Sequence, residues 1–396
     1  MNRTTHSTSR WSRIRSGCFD GSEDVYAIHA EMRRDAPVWQ APWGDIYVSR
    51  YDLVAASLAD RRLSHLPPAD ANAVAPDSAL RNWLIYQEGH THAAIRAALQ
   101  KPFAGRGLAA LRPFVDEAVE LLCAGTPDGD VDVVGAFARA VPERIIGRLL
   151  GVPVGDLPQL RAWSASIRDL LDVGFDDAFD RRINAVDEMS AYFTGHARAL
   201  LKGGELPMLL SGLPGLVEKI GLDAAGANLA LLAFSGHETT VHLTGNLLYH
   251  LTRAPDQFAR LRADPSLTVN AVAEALRLES PVQKICRWPT ETIDLAGHAL
   301  PEGRLVVLLV GAANRDASRF AEPDNFILNR PPEQNLAFGR GLHICIGRAL
   351  AEIEAHSVLA ATLKRWSSIE PVEGGARWLD NSSFRGLERL VLRLAA

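Results

Sequence analysis

Residues 338–351 read Phe338-Gly-Arg-Gly-Leu-His-Ile-Cys-Ile-Gly-Arg-Ala-Leu-Ala351, and the rest of the chain is best approached from this stretch. Its close glycines suggest a dinucleotide-binding turn, but a GxGxxG starting at Gly339 needs its third glycine where the chain has Ile344. No strong βαβ pattern surrounds it either. Instead, Cys345 stands where a loop gives way to helical periodicity over 346–364. The free N–H groups and the positive end of that helix are expected to favour a thiolate. Gly339, Gly341 and Gly347 leave room for a flat group against the backbone. A lone cysteine is otherwise a small inert core residue.

This arrangement resembles the cysteine-ligand loop of the cytochrome P450 family, F-G-x-G-x-H-x-C-x-G, and every fixed letter is present. In that family the thiolate is the proximal ligand of a haem iron. Other stretches follow in the family's order. Glu274-Ala-Leu-Arg277 resembles its E-x-x-R helix, and Pro323-Asp-Asn-Phe326 leading to Arg330 resembles its P-x-x-F segment. Glu274 and Arg277, three apart, share a helix face, and with Arg330 they are expected to form a structural triad behind the loop. His92 and Arg96 resemble the H-x-x-x-R segment. With Arg287 and His343 they are the implied partners of the haem propionates, which need cations when partly buried. Phe338, Gly339 and Gly347 belong to the same implied cofactor site. The resemblance runs from about Val25 to Leu394, including Asn314-Arg315-Asp316 and the turn Ser382-Ser383-Phe384-Arg385-Gly386.

A second stretch, Ser235-Gly-His-Glu-Thr-Thr-Val-His242, lies inside an apolar helical segment over 223–253. It looks at first like a zinc-hydrolase helix. That chemistry needs His-Glu-x-x-His, with ligands four apart and about 40° apart on the helix. His237 and His242 are five apart, about 140° around the helix, and cannot share one ion. Small residues and a hydroxyl able to bond back to a carbonyl would bend the helix here. The bend serves either packing alone or a ligand groove in which Glu238 and Thr239 manage protons. After the cysteine loop, the stretch resembles the family's A-G-x-[DE]-T-T segment, which implies catalytic roles for Glu238 and Thr239. Ser235 replaces the usual Ala or Gly.

Composition frames these motifs. The 396 residues are 47% hydrophobic and 22% charged, with a net charge of -5. That describes an ordinary globular chain and gives no basis for nucleic-acid binding. Four cysteines, the closest pair being Cys286 and Cys345, offer neither a disulfide framework nor a CxxC knuckle, and fit a reducing, cytoplasmic setting. No apolar run approaches the roughly 20 residues of a membrane span. Residues 1–18, basic and rich in Ser and Thr, read as a disordered tail rather than a transit peptide, and 19–396 as a single catalytic domain.

Helical periodicity recurs over 22–34, 106–123, 135–150, 185–201, 223–253, 255–263, 268–279 and 346–364. Minor strands are expected at 46–49, 292–295, 304–310 and 389–394. Segments 60–82 and 152–182 read as mobile connections or short helices. The fold class is therefore mainly α with small β-sheets, and the resemblance implies the cytochrome P450 fold.

The resemblance further implies a haem b monooxygenase that activates O2 and oxidises a small, largely apolar organic molecule, in secondary metabolism. Its NAD(P)H-derived electrons would come through a separate ferredoxin and ferredoxin reductase, since the haem fold uses the whole chain. Arg96, Lys101, Arg106, Arg340 and Arg348 are the expected basic docking face for the ferredoxin. The implied substrate contacts are Trp83, Leu84, Leu231, Phe234, Ser235, Val282, Ile285 and Phe384, with further contacts from the 165–180 region. The protein is expected to act as a monomer. Non-hydroxylating outcomes (coupling, desaturation, nitration, peroxide-driven chemistry) and a non-catalytic haem sensor stay open at this point.

Overall fold

The computed structural model describes residues 10–16, 25–68, 78–172, 179–203 and 206–396. Its principal helices are α1 (Val25–Asp35), α2 (Tyr51–Ala59), α3 (Gly89–Leu99), α4 (Gly105–Ala124), α5 (Ala140–Leu150), α6 (Leu157–Leu170), α7 (Phe179–Gly203), α8 (Leu213–Ile220), α9 (Leu222–Thr252), α10 (Pro255–Ala263), α11 (Thr268–Leu278) and α12 (Arg348–Arg365). The strands are β1 (Val38–Gln40), β2 (Ile46–Val48), β3 (Leu63–Ser64), β4 (Gly129–Asp132), β5 (Lys284–Pro289), β6 (Ile293–Leu295), β7 (His298–Leu300), β8 (Val306–Leu309), β9 (Ser368–Trp378) and β10 (Leu387–Ala395).

The axis of the molecule is α9, whose 31 residues extend about 46 Å. It is buried around most of its circumference, as a helix apolar on every side must be. Helices α5, α7, α8, α11 and α12 pack around it. One sheet has the order β1-β2-β8-β5-β3, with β2 and β8 parallel and the other pairs antiparallel. A second sheet is β4-β10-β9, and β6-β7 is a hairpin. All four residues of β8 are buried, which explains its unbroken apolar run.

The mainly α class agrees with the reading from sequence, and each expected helix and strand has a counterpart. The differences are instructive. Residues 157–170, expected within a stretch of mobile connections or short helices, form the 14-residue helix α6, whose apolar period is masked by polar residues on its packed face. There Ser164 is buried, Arg161 pairs with Glu143 and Arg168 pairs with Glu238. Strand β5 was hidden because buried Lys284 and Arg287 interrupt its apolar pattern.

The disordered-tail expectation is corrected for residues 10–16. Trp11 and Ile14 are buried with Met32, Trp39 and Tyr47, and buried Lys284 donates to the Ile14 carbonyl. Apolar burial anchors this stretch despite its basic composition. Residues 1–9 and 17–18 lie outside the described residues, as do 69–77 and 173–178.

Candidate active site

The cysteine loop is held by its backbone. Cys345 N donates to Phe338 O at 3.0 Å, Ile344 N to Gly341 O at 3.2 Å, and Gly339 N to Leu336 O at 2.9 Å. Gly339 and Gly341 have φ of +69° and +72°, the left-handed region that side chains avoid. A Cβ on Gly341 would also lie 2.9 Å from Leu58 O, whereas the space beside Gly339 is open.

Behind the loop, Glu274 and Arg277 of α11 make a two-pronged ion pair with both contacts at 2.8 Å, and Arg330 Nε adds contacts at 3.1 Å to each carboxylate oxygen. Arg277 also donates to the carbonyls of Asn314, Pro323 and Asn325. Asn314 Oδ1 in turn accepts from Leu336 N at 2.7 Å, so the triad is wired to the start of the cysteine loop.

The Cys345 sulfur presents its accessible surface to an interior cavity rather than to bulk water. Enclosure pushes its thiol pKa up, against the Gly347 and Arg348 N–H groups and the charges of Arg96 and Arg348. In that balance burial outweighs the N–H groups of the helix end. A bound cation of high charge would reverse that balance, because a coordinating thiol is deprotonated outright.

At one edge of the cavity stand Arg96, Arg287, His92 and His343, with His65 among them. The His65 and His92 rings pack on His343 at centroid distances of 4.3 and 4.6 Å, and Arg287 Nη1 lies 2.9 Å from His65 Nδ1. Burial drives the pKa of Arg287 down to about 9, and burial with repulsion from His92, Arg287 and Arg96 drives that of His343 to about 3. The buried Nε2 atoms of His65 and His92 lack a hydrogen-bond partner among the described residues. Crowded donors of one sign with unsatisfied nitrogens match a group bearing carboxylates.

The cavity, about 310 Å³, runs between this edge, the cysteine loop and α9. Thr239 and Thr240 face it from α9, their hydroxyls donating to the carbonyls of Ser235 and Gly236. The helix continues through this point without interruption. Opposite Thr239 the cavity is lined by Cys345, Phe338, Gly339 and Gly347. A thiol facing a hydroxyl across an apolar cavity with a cationic rim fits haem.

Of the expected substrate contacts, Leu84, Leu231, Ser235, Val282 and Ile285 line the cavity. Trp83, Phe234 and Phe384 do not. Trp83 stacks on Phe234, which meets Phe384 edge-on, so all three are core aromatics one layer back. Glu238 is also turned away from the cavity. Its Oε1 accepts from Arg168 Nη1 of α6 at 2.7 Å, and His237 and His242 flank it. Burial pushes its pKa up, but the neighbouring His242, His237 and Arg168 hold it well below the usual carboxylate range.

Among residues that sequence reading missed, His65 had no motif to mark it, and Ile85, Leu232 and Leu243 were indistinguishable from core. Asn228 of α9 clamps the roof, accepting from Leu84 N and donating to Asn82 O, both at 2.8 Å. Glu354 of α12 also lines the cavity, and burial raises its pKa well above the ordinary value. Among the described residues no group of three or more His, Cys, Asp or Glu is arranged to hold a metal ion.

Comparison with known proteins bears on the whole chain. The family model described as Cytochrome P450 matches residues 216–383. The chain is 33% identical to the cytochrome P450 monooxygenase PikC of Streptomyces venezuelae, over 94% of this chain and 92% of that protein. It is 31% identical to the biotin biosynthesis cytochrome P450 of Bacillus subtilis, over 93% and 95%. The crystal structure of P450BioI in complex with hexadec-9Z-enoic acid ligated acyl carrier protein superposes with a TM-score of 0.85 at 29% identity, covering 94% of this chain and 98% of that one. No helix among the described residues is long and apolar enough to cross a membrane. With full-length relatives at this identity and a thiol loop and cation rim that fit haem, the chain belongs to the cytochrome P450 family and is a monooxygenase.

Proposed function

We propose that this monooxygenase oxidises a small, largely apolar organic substrate held against α9, with Cys345 as the haem ligand and Thr239 as the hydroxyl that directs protons. When bound, the haem supplies the O2-splitting chemistry, to which a thiolate ligand contributes electron density. Phe338, Gly339 and Gly347, which line the cavity beside Cys345, would bed the ring. Arg96, Arg287, His92 and His343, joined by His65, hold its carboxylates and are thereby neutralised. The apolar lining from Leu84, Leu231, Val282 and Ile285 excludes water and sets a preference for hydrocarbon surface. Thr239 would hold a proton at Oγ1 in the cavity, and Glu238, a carboxylate beside Arg168, would accept a proton from the protein side and pass it on to that hydroxyl.

What carries this reading is that Thr239 and Cys345 line the same cavity from opposite elements, α9 and the loop before α12. Reduction under carbon monoxide tests it: the thiolate-type spectrum is expected, and a histidine-type spectrum refutes the ligand assignment. A ferric difference-spectrum screen of apolar compounds then identifies the substrate class.

Electrons are proposed to arrive from a separate ferredoxin, itself reduced from NAD(P)H by a reductase. Lys101, Arg106, Arg340 and Arg348 are exposed near the cysteine side, as is Leu342. Arg96 instead turns to the cavity, which removes it from the docking face.

A further inference from the structure

The five-residue spacing that denies His237 and His242 a shared metal ion puts them on different sides of Glu238, and the two sides differ. His242 leads inward. Its Nε2 lies 3.5 Å from Glu238 Oε1, its Nδ1 has no hydrogen-bond partner among the described residues, and its ring is pressed on Gly386, where a Cβ would come within 2.0 Å of Nδ1.

His237 leads outward. Its Nδ1 lies 3.7 Å from Glu238 Oε2, and its buried Nε2 also lacks a hydrogen-bond partner while facing Glu143 Oε1 of α5 at 3.4 Å. Glu143 is in turn bonded by Arg161 of α6 at 2.7 Å, and the Arg161 side chain is 47% exposed. A void of about 10 Å³, close to what one water molecule requires, lies among Glu143, Arg161, Ser164 and His237. The charged and titratable groups around His237 are therefore Glu143 from α5, Arg161 and Arg168 from α6 with Asp169 beside Arg168, and Glu238 and His242 from α9 itself.

We propose that Glu143 and His237 form a proton inlet from the α5–α6 edge of the protein to Glu238. The inlet rests on the reading of Glu238 as the acid that reloads Thr239. Splitting O2 into an inserted oxygen atom and water consumes protons, and the apolar cavity lining supplies none. A solvent proton, carried as hydronium by one water in the void against the Glu143 carboxylate, passes to His237 Nε2, so that an O–H bond breaks as an N–H bond forms. The proton on Nδ1 leaves for Glu238 Oε2. At the imidazole one N–H bond forms and one breaks, the departing proton forms an O–H bond on Glu238, no electron moves, and a flip of the ring restores the tautomer. Burial pushes the Glu143 pKa up, but the facing His237 and the hydrogen-bonded Arg161 bring it to about 2. It thus stays an anion that draws a proton onto the facing imidazole. His237 acts through Glu238 and touches neither substrate nor cofactor.

The test uses holoenzyme with His237→Phe, Glu143→Gln and, as control, Glu238→Gln. In His237→Phe, turnover is expected to fall roughly tenfold, with a larger solvent deuterium isotope effect and partial rescue by added imidazole in His237→Gly. Glu143→Gln, a near-isosteric change, is expected to shift the pH profile even if His237→Phe folds poorly. In the reduced carbon monoxide adduct, the C–O stretch should move with pH in wild type and stop moving in His237→Phe, a readout independent of turnover. Wild-type isotope effect, pH profile and stretch in both His237→Phe and Glu143→Gln, with Glu238→Gln slowed, overturn the inlet alone. If Glu238→Gln is also unaffected, the role of Glu238 falls and the inlet with it.

Discussion

The two sides of the cavity are built by different means. On the cysteine side, backbone hydrogen bonds fix the loop, two glycines with positive φ shape it, and a buried triad satisfies its charges and reaches the loop through Asn314. On the α9 side, the polar groups are side chains on a continuous helix, and several buried nitrogens there, on His237 and His242, have no hydrogen-bond partner among the described residues. A ligand to a metal must be held still, whereas a group that passes protons must exchange partners. Full satisfaction gives rigidity, and incomplete satisfaction leaves protons somewhere to go.

The largest effect is expected from Arg277→Ala, which leaves the Glu274 charge buried with only Arg330 beside it. Breaking such a buried pair costs about 3–5 kcal/mol. Purified protein should be poorly folded or unable to retain haem. A stable, haem-replete variant breaks the claim that the triad is what stiffens the cysteine side.

Glu279 sharpens the same point through pH. It receives hydrogen bonds from Tyr26 at 2.7 Å and Arg385 at 2.8 Å, with His250 at 3.0 Å and Arg315 at 3.3 Å. Burial pushes its pKa up, but hydrogen bonding to His250 and the charges of Arg385, Arg315 and His250 hold it well below the ordinary range. As pH falls, the unfolded chain therefore takes up the proton first. The stabilisation is complete above the unfolded value, about 4.3, and drains away below it. Urea unfolding of wild type and Glu279→Gln should differ most near neutrality and converge in acid. A difference that grows on acidification has the wrong sign for this account.

On the α9 side, Thr239→Ala should leave haem binding and fold intact while diverting reducing equivalents into peroxide. Product per O2 consumed should drop by roughly tenfold to a hundredfold, the scale of a lost proton-managing group. Tight coupling in this variant would mean that the hydroxyl only caps the Ser235 carbonyl. The smallest effect belongs to the surface: Lys101→Glu or Arg106→Glu should raise the ferredoxin concentration needed for half-maximal reduction by about a few fold, more at low salt than at high. Salt-independent or absent change removes those residues from the docking face.

Much of the cysteine side was legible from sequence because it depends on residue types that only a few local geometries demand. Glycines with positive φ, a cysteine before a helix and an acid and arginine three apart leave marks in one dimension. The long helix was legible as well, since burial on all sides writes an uninterrupted apolar segment. Less visible were elements whose polar residues face inward, as in α6 and β5, where packed polar side chains such as Ser164, Arg168, Lys284 and Arg287 interrupt the apolar periodicity.

Sequence by itself determined the family, the position of the thiol and the pairing partners in the triad, because each is specified by residue identity and short spacing. Only the tertiary structure decided that Glu238 turns toward Arg168 rather than the cavity, that Trp83, Phe234 and Phe384 form core rather than lining, and that His65 joins the cationic rim. Those outcomes depend on which of several compatible neighbours, 70 or more residues away in the chain, comes within hydrogen-bonding or packing distance. Distances of that kind are set by how helices pack, and no local pattern encodes them.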